Sequence, residues 1–139
     1  MFNAKQGFKD VANKVKSITT RLNDEADYVV EQSIDSTGKS GYTKWNSGKI
    51  EQWGEISFSA SSGIVTSTLT FPTAFLNTNY NVQLTGNRNY GYSASYWSIS
   101  EGNTSGNLVR TTTTTLVKVS KNASAYSITA CWRAIGKWK

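Results

Sequence analysis

One stretch of the sequence, TGNRNYGYSASYW from Thr85 to Trp97, contains the types of side chain that a sugar-binding site requires. A sugar presents apolar C–H faces and many hydroxyl groups, so its site needs aromatic rings beside amide, hydroxyl or guanidinium groups. Gly86 and Gly91 would let the chain turn sharply around such groups. An ordinary hairpin loop, whose tyrosines pack back on the fold, explains the stretch equally well. The candidate saccharide-binding residues are Asn87, Arg88, Asn89, Tyr90 and Tyr92.

Side chains for catalysis or metal binding are few. The chain has no His, which excludes a Ser–His or Cys–His nucleophile and an imidazole zinc site. No P-loop or dinucleotide-binding fingerprint occurs. Glycoside hydrolysis needs two carboxyl groups roughly 5–10 Å apart, and Glu51 and Glu55 are better explained as exposed strand charges. The catalytic arrangement that these observations leave open is a site formed by residues of two subunits. We expect no enzyme activity, no cofactor and no metal.

The excess of positive over negative charge lies in the second part of the chain. The net charge is +6 over 139 residues. Residues 1–41 hold six basic and six acidic side chains, and residues 42–139 hold nine basic and three acidic ones. Without a nucleic-acid-binding motif, attraction to anionic cell-wall or lipopolysaccharide polymers is the favoured role, and a plain solvated face is equally compatible. The basic residues near the C-terminus, interspersed with Trp132 and Trp138, are Lys118, Lys121, Arg133, Lys137 and Lys139.

The apolar residues at the start of the chain follow a heptad repeat. They are spaced alternately three and four residues apart, as in the seam of a coiled coil, and polar residues lie between them. β-Branched residues at the d positions favour three or more strands over a parallel dimer. An amphipathic helix packed on the following domain is the alternative. The seam begins with Met1 and Ala4, and the predicted trimerisation residues are Phe8, Val11, Val15, Ile18 and Leu22.

The rest of the chain is predicted to be all-β. We place a coiled-coil stalk at residues 1–25, a linker or extended segment at 26–41, and an antiparallel β-sandwich at 42–139. The stretch YTKWNSGKIEQWG predicts a hairpin in which Gly48 takes a left-handed conformation. Later strands are predicted at Ile64–Phe71, Tyr80–Thr85, Tyr96–Ser100, Thr114–Ser120 and Tyr126–Ile135. Cys131 and Trp97 are expected in the core, and no segment resembles a signal peptide or a membrane span.

Three stretches resemble the C-terminal domains of bacteriophage tail fibres and related receptor-binding proteins. ADYVVEQS followed by YTKWNSGKIEQWG is similar to a segment and hairpin of that family, LTFPTAF with NTNYNVQLT to an inner strand and loop, and CWRAIGKWK to the final strand. The last two stretches also resemble H-type lectins, which are trimeric sugar-binding β-sandwiches. Animal H-type lectins carry signal peptides and disulfides, and this chain shows neither.

The resemblance implies a homotrimeric fibre-tip or baseplate protein, made in the host bacterial cytoplasm and assembled into the virion. It implies multivalent, non-covalent binding of host-cell surface polysaccharide, and docking to other tail or baseplate proteins through the N-terminal helix. Trp45 and Trp53 would then be structural residues of the hairpin. No nucleic acid partner and no membrane insertion are expected. The alternative is a structural tail adaptor or cap that trimerises and docks virion proteins without binding a receptor.

Overall fold

The computed structural model describes residues 4–58, 63–87, 97–121 and 128–139. Within these residues one helix precedes eight strands, and all strand pairs are antiparallel. The fold is therefore mainly β, as predicted. The elements are α1 (Ala4–Glu25), β1 (Val29–Ile34), β2 (Gly41–Trp45), β3 (Lys49–Phe58), β4 (Gly63–Thr70), β5 (Asn81–Asn87), β6 (Trp97–Glu101), β7 (Thr114–Lys121) and β8 (Ile128–Lys137).

The described strands form two sheets. The larger sheet has the order β1-β2-β3-β8-β5, and the smaller has the order β4-β7-β6. The longest ladder joins β3 to β8 from the Lys49–Lys137 pair to the Phe58–Ile128 pair. These strands are far apart in the sequence, and their pairing forms the centre of the larger sheet.

The predicted hairpin is confirmed as β2 and β3. The two strands pair from Gly41 opposite Trp53 to Lys44 opposite Ile50. Gly48 has a φ of 87° and donates its N–H to the carbonyl oxygen of Trp45 at 3.0 Å. This left-handed conformation favours glycine, because a Cβ would clash with the backbone.

Alternation along β3 and β8 directs one set of residues into the core. The buried residues of these strands meet those of the smaller sheet, so both sheets share one apolar core. Phe71, Phe75, Tyr80 and Trp132 form a cluster of ring contacts at 4.6–5.7 Å between centroids. The buried aliphatic and aromatic residues include Ile50, Ile56, Phe58, Leu69, Val117, Val119, Ile128, Ala130 and Ala134.

The later predicted strands are confirmed within a few residues by β4, β5, β6, β7 and β8, and Pro72 follows β4 where its ladder ends. The expected burial of Cys131 is wrong, since this residue is half-buried. Cys131 lies opposite Glu55 and Thr85, on the outer face of the larger sheet, whereas its neighbour Trp132 points into the core. A strand that covers the core with one face only exposes every second residue. The side chain of Trp97 lies outside the described residues.

Residues 26–41 contribute a strand to the larger sheet. β1 pairs with β2 from Val29 opposite Trp45 to Ile34 opposite Gly41, with a bulge between Val29 and Glu31. All six residues of β1 are exposed. The extended segment is therefore an edge strand joined to the sheet by its backbone.

The helix α1 leaves its apolar seam uncovered. Phe8 is 77% exposed, and Val11, Val15 and Ile18 are each at least half exposed. These four described residues of the seam do not pack against the sandwich, so the alternative of a helix docked on its own domain is not what the structure shows. Met1 and the side chains of Ala4 and Leu22 lie outside the described residues. No helix in the described part of the chain is long and apolar enough to cross a membrane.

Candidate functional site

The helix joins the sandwich at one end, next to the β2–β3 turn. The N–H of Asn46 donates to the carbonyl oxygen of Tyr28 at 2.9 Å, and the N–H of Ser47 donates to the Asp27 carboxylate at 3.1 Å. The C-terminal Trp138 lies at the same turn, because its N–H donates to the carbonyl oxygen of Gly48 at 3.0 Å. We call this part of the molecule the helix end.

The opposite end of the sandwich collects the strand ends that border three connections. Phe58 pairs with Ile128 and Asn87 pairs with Thr129 in the larger sheet, while Lys121 pairs with both Gly63 and Trp97 in the smaller one. We call this the loop end. The ten residues of β3 span the distance between the two ends, roughly 30 Å.

The candidate saccharide-binding residues begin at the loop end. Asn87 is the last residue of β5, and its backbone position is fixed by pairing with Thr129 of β8. Arg88, Asn89, Tyr90 and Tyr92 lie outside the described residues. Asn87 therefore lies on an edge strand of the larger sheet, at the end farthest from the helix, and the grouping of the candidate side chains stays a prediction.

Trp45 and Trp53 both pack against their own chain. Lys49 Nζ lies 4.3 Å from the centroid of the Trp45 ring, and the indole N–H of Trp138 donates to the Trp45 carbonyl oxygen at 3.0 Å. The Trp53 ring lies over Gly41, where a Cβ would approach it within 2.8 Å. Both tryptophans are half-buried. These contacts agree with the structural role expected for the hairpin tryptophans.

A polar cluster at the helix end was not foreseen from the sequence. Lys44 Nζ lies 2.8 Å from a Glu31 carboxylate oxygen, and 5.2 Å and 5.5 Å from the ring centroids of Tyr42 and Trp138. The Tyr42 hydroxyl donates to the same carboxylate. Hydrogen bonds from Lys44 and then Tyr42 lower the pKa of Glu31. The sequence does indicate that Tyr42 and Lys44 share one face of β2, because they alternate along that strand. It does not identify Glu31 as their partner, because that depends on the register between β1 and β2.

The basic residues near the C-terminus do not form one patch. Arg133 Nε donates to Glu51 at 2.5 Å, so its charge is paired on the outer face of the larger sheet. Lys118 belongs to β7 of the smaller sheet, and Lys137 and Lys139 lie at the helix end. The side chain of Lys121 lies outside the described residues. The stripe of clustered cations that a nucleic-acid groove requires is not assembled by the described residues.

Glu51 and Glu55 have separate partners. Glu51 accepts from Arg133, and Glu55 lies 3.4 Å from Lys39 Nζ. Four residues along an extended strand cover about 13 Å, beyond the usual spacing of paired catalytic carboxylates. Among the residues that the structure describes, no group of three or more His, Cys, Asp and Glu side chains could hold a metal ion.

A second unforeseen network braces the helix end of the smaller sheet. Glu101 accepts hydrogen bonds from Arg110 Nε at 2.7 Å and from the Thr115 hydroxyl at 2.5 Å. Arg110 also donates to the carbonyl oxygen of Tyr80 at 2.8 Å, and its guanidinium lies 4.7 Å from the Tyr80 ring centroid. The Glu101 side chain is only 10% exposed. This network ties the β6–β7 connection to the larger sheet.

Comparison with known proteins gives matches to tail fibers. Residues 44–137 match the family model for the C-terminal region of gp53-like tail fiber proteins. The solved structure of an N-truncated R1-type pyocin tail fiber is 22% identical, with a TM-score of 0.57 over 86% of this chain and 94% of that one. No curated protein sequence matches the chain.

Two longer pyocin fibers share the fold. An N-truncated R2-type pyocin tail fiber is 22% identical, with a TM-score of 0.56 over 79% of this chain and 39% of that one. The C-terminal part of the R1 pyocin fiber of P. aeruginosa is also 22% identical, with a TM-score of 0.54 over 77% of this chain and 28% of that one. The chain therefore spans well under half the length of these two structures.

Proposed function

Because the chain belongs to the gp53-like C-terminal family of tail fiber proteins, we propose that it forms the receptor-binding tip of a homotrimeric fibre. In this proposal the tip binds saccharides of the host-cell surface without catalysing a reaction. The observation that carries it is the separation of the helix end from the loop end. A fibre that continues through the helix would present the loop end outward, where a receptor can reach it.

The exposed seam of α1 supports assembly of three copies. Helices in proteins gain most of their stability from packing of an apolar face, and the exposed stripe of this 22-residue helix lacks a partner within the described chain. Val11 and Ile18 occupy d positions, where β-branched residues favour higher-order coiled coils over parallel dimers. β1 adds further exposed apolar side chains, those of Val29, Val30 and Ile34.

Three copies would compensate for weak individual sites. A parallel coiled coil directs three loop ends toward one surface, so the second and third binding events become intramolecular. The net charge of +6 favours approach to anionic surface polymers, and salt would weaken this attraction. The protein would be made in the host bacterial cytoplasm and incorporated into the virion or pyocin particle, with α1 as the contact to other tail or baseplate proteins.

The first test compares saccharide binding by the wild type and a Tyr90→Ala, Tyr92→Ala double variant. Binding is measured on intact host cells and on their isolated surface polysaccharide, with the oligomeric state checked in each sample. Tyr28→Ala is the matched control, because Tyr28 is an exposed tyrosine at the helix end. We expect the wild type and Tyr28→Ala to bind, and the double variant to lose most binding. Unchanged binding by the double variant would place the receptor site elsewhere.

A structural adaptor is the second candidate function. It is favoured by exposed apolar side chains at the helix end, where Leu76, Leu108 and Val109 are 53%, 61% and 42% exposed. Such a surface would suit docking of another tail protein. Failure of the wild type to bind either cells or polysaccharide would favour this function over the receptor-binding one.

A further inference from the structure

A cleft opens between the two sheets where the β1–β2 hairpin stops short. The pairing of β2 with β3 ends at Gly41 and Trp53, so the described part of β3 beyond Trp53 has a strand partner on one side only. Among the described strands, β4 pairs only with β7 and is likewise an edge strand. The cleft between these edges has a volume of about 440 Å³, and its lining includes Ser40, Gly54, Glu55, Thr68, Thr70 and Trp132.

The floor of the cleft is apolar and tightly packed. The Trp132 indole lies against Gly54, where a Cβ would come within 2.7 Å of the ring. Ile56, Leu69 and Phe71 complete this surface, and each is less than one-tenth exposed. The Phe71 and Trp132 rings meet edge to face at 5.7 Å. Glycine at position 54 therefore allows an aromatic ring to line the cleft, and the surrounding core holds that ring in place.

The rim of the cleft is polar but has no net charge. Thr68 and Thr70 are exposed on the edge strand, and neither hydroxyl has a hydrogen-bond partner among the described residues. On the opposite side, the Glu55 carboxylate lies 3.4 Å from the ammonium group of Lys39. These two charges offset each other. The hydroxyls can donate and accept, and the carboxylate can accept from a ligand.

The dimensions favour a small ligand over a peptide strand. A peptide added to a sheet pairs along a run of backbone groups, but the cleft lining covers only residues 54–56 of one edge and residues 68–72 of the other, which end at Pro72, a residue with no N–H. The volume lies in the range of small-molecule sites, about 300–1,000 Å³. A pyranose has an apolar C–H face for the Trp132 floor and hydroxyl groups for the rim.

We propose that this cleft binds one neutral pyranose unit of the host-cell surface saccharide. The inference rests on the proposed function, but it assigns a second site, separate from the loop end. The apolar face of the sugar lies toward Trp132, and its hydroxyls bond to Thr68, Thr70 and Glu55. Two sites on each copy would let one subunit contact two positions of a single polysaccharide chain.

The test uses the full chain labelled with 5-fluorotryptophan. The Trp132 signal, assigned with a Trp132→Phe variant, is followed by fluorine NMR during titration with glucose, galactose, mannose and N-acetylglucosamine to tens of millimolar. Thr68→Val, Thr70→Val removes the two rim hydroxyls with little change in shape. Thr66→Val is the control, since Thr66 is an exposed threonine of β4 outside the cleft lining. Binding to host cells and to their polysaccharide is measured in parallel.

We expect at least one sugar to shift the Trp132 signal in the wild type and in Thr66→Val, and the double variant to bind it about tenfold more weakly, the equivalent of one or two hydrogen bonds. Equal affinity of the double variant and the wild type for the sugar would overturn the proposal that the cleft binds it. So would an unmoved Trp132 signal in a protein that still binds cells, and in that case the proposed function would stand. Absence of binding to both the sugars and the cells would overturn both proposals.

Discussion

The helix and the sandwich use the same kinds of apolar residue in opposite ways. Phe8 of α1 is 77% exposed, whereas Phe58 of β3 is 2% exposed. The sandwich buries its apolar residues between two sheets of one chain, so a single copy can obtain the free energy of that burial. The exposed seam residues of the helix have no such partner in the described chain, and in the proposed assembly other copies would cover them. One chain thus combines a sandwich that has its own core with a helix whose described apolar seam is exposed.

The β1 strand lies between these extremes. All six of its residues are exposed, yet its backbone pairs with β2 along the edge of the larger sheet. Backbone pairing and the contacts of Glu31 with Lys44 and Tyr42 hold this strand, while its apolar side chains remain exposed. We therefore expect pairing with the sandwich to fix the backbone position of β1. Its exposed apolar side chains, like those of the helix, are expected to be covered by another copy.

The strongest test of the difference between helix and sandwich introduces two charged residues into the helix seam. Val11→Asp, Val15→Asp should abolish assembly and most of the helical signal, because two carboxylates per copy would be buried in the coiled coil. Sedimentation equilibrium and far-ultraviolet circular dichroism measure both effects. Lys9→Asp, Lys16→Asp adds the same side chains outside the seam and should leave the trimer intact. A wild type that sediments as a monomer contradicts the proposed assembly outright.

A second test removes the same aromatic ring from each region, within the seam-charged variant so that assembly does not contribute. Phe58→Ala should lower the free energy of unfolding by about 3–5 kcal/mol, because it leaves a cavity between the sheets. Phe8→Ala should change it by less than about 0.5 kcal/mol, as expected at an exposed position. Urea unfolding followed by tryptophan fluorescence measures both changes. Equal losses in the two variants would show that the helix contributes to the sandwich core.

A third test concerns a buried amide inside the sandwich. Gln52 is fully buried, its Nε2 donates to the Thr73 carbonyl oxygen at 3.0 Å, and its Oε1 accepts from the Thr73 N–H at 2.9 Å. Gln52→Leu should cost about 1–3 kcal/mol for each backbone group that loses its partner. Gln83→Leu is the control, because Gln83 is an exposed residue of β5. Thermal unfolding that is unchanged by Gln52→Leu would mean that Thr73 finds other partners.

The smallest expected effect is a dependence of stability on acid pH. Hydrogen bonds from Thr37 and Ser40 lower the pKa of Asp35, and those from Lys44 and Tyr42 lower the pKa of Glu31. The unfolded chain therefore binds these protons first, at its ordinary pKa of about 4. The added stability is complete above that pH and declines as the pH falls through the lower folded pKa values. Urea midpoints from pH 6 downward should fall less in Glu31→Gln, Asp35→Asn than in the wild type, and parallel curves would contradict the assignment.

Much of the fold could be predicted from local patterns. Alternation of apolar and polar residues located β3, β4 and β8, and the Asn46–Gly48 turn located the hairpin, because both signals involve neighbouring residues. The three-four spacing located α1 in the same way. For the candidate saccharide-binding site, the sequence showed the types of side chain from Asn87 onward that such a site requires. It could not supply the cleft, whose two walls come from strands of different sheets.

The sequence by itself determined the heptad, the hairpin, the positions of the later strands and the net charge, because each depends on residue type and short spacing. Only the tertiary structure decided that Cys131 faces outward, that Arg133 pairs with Glu51, and that the basic residues are dispersed. These features depend on the register between β3 and β8, which are about eighty residues apart in the chain. A shift of one residue would exchange the two faces of a strand. Core packing across both sheets selects the register that buries Trp132, and no local pattern contains that information.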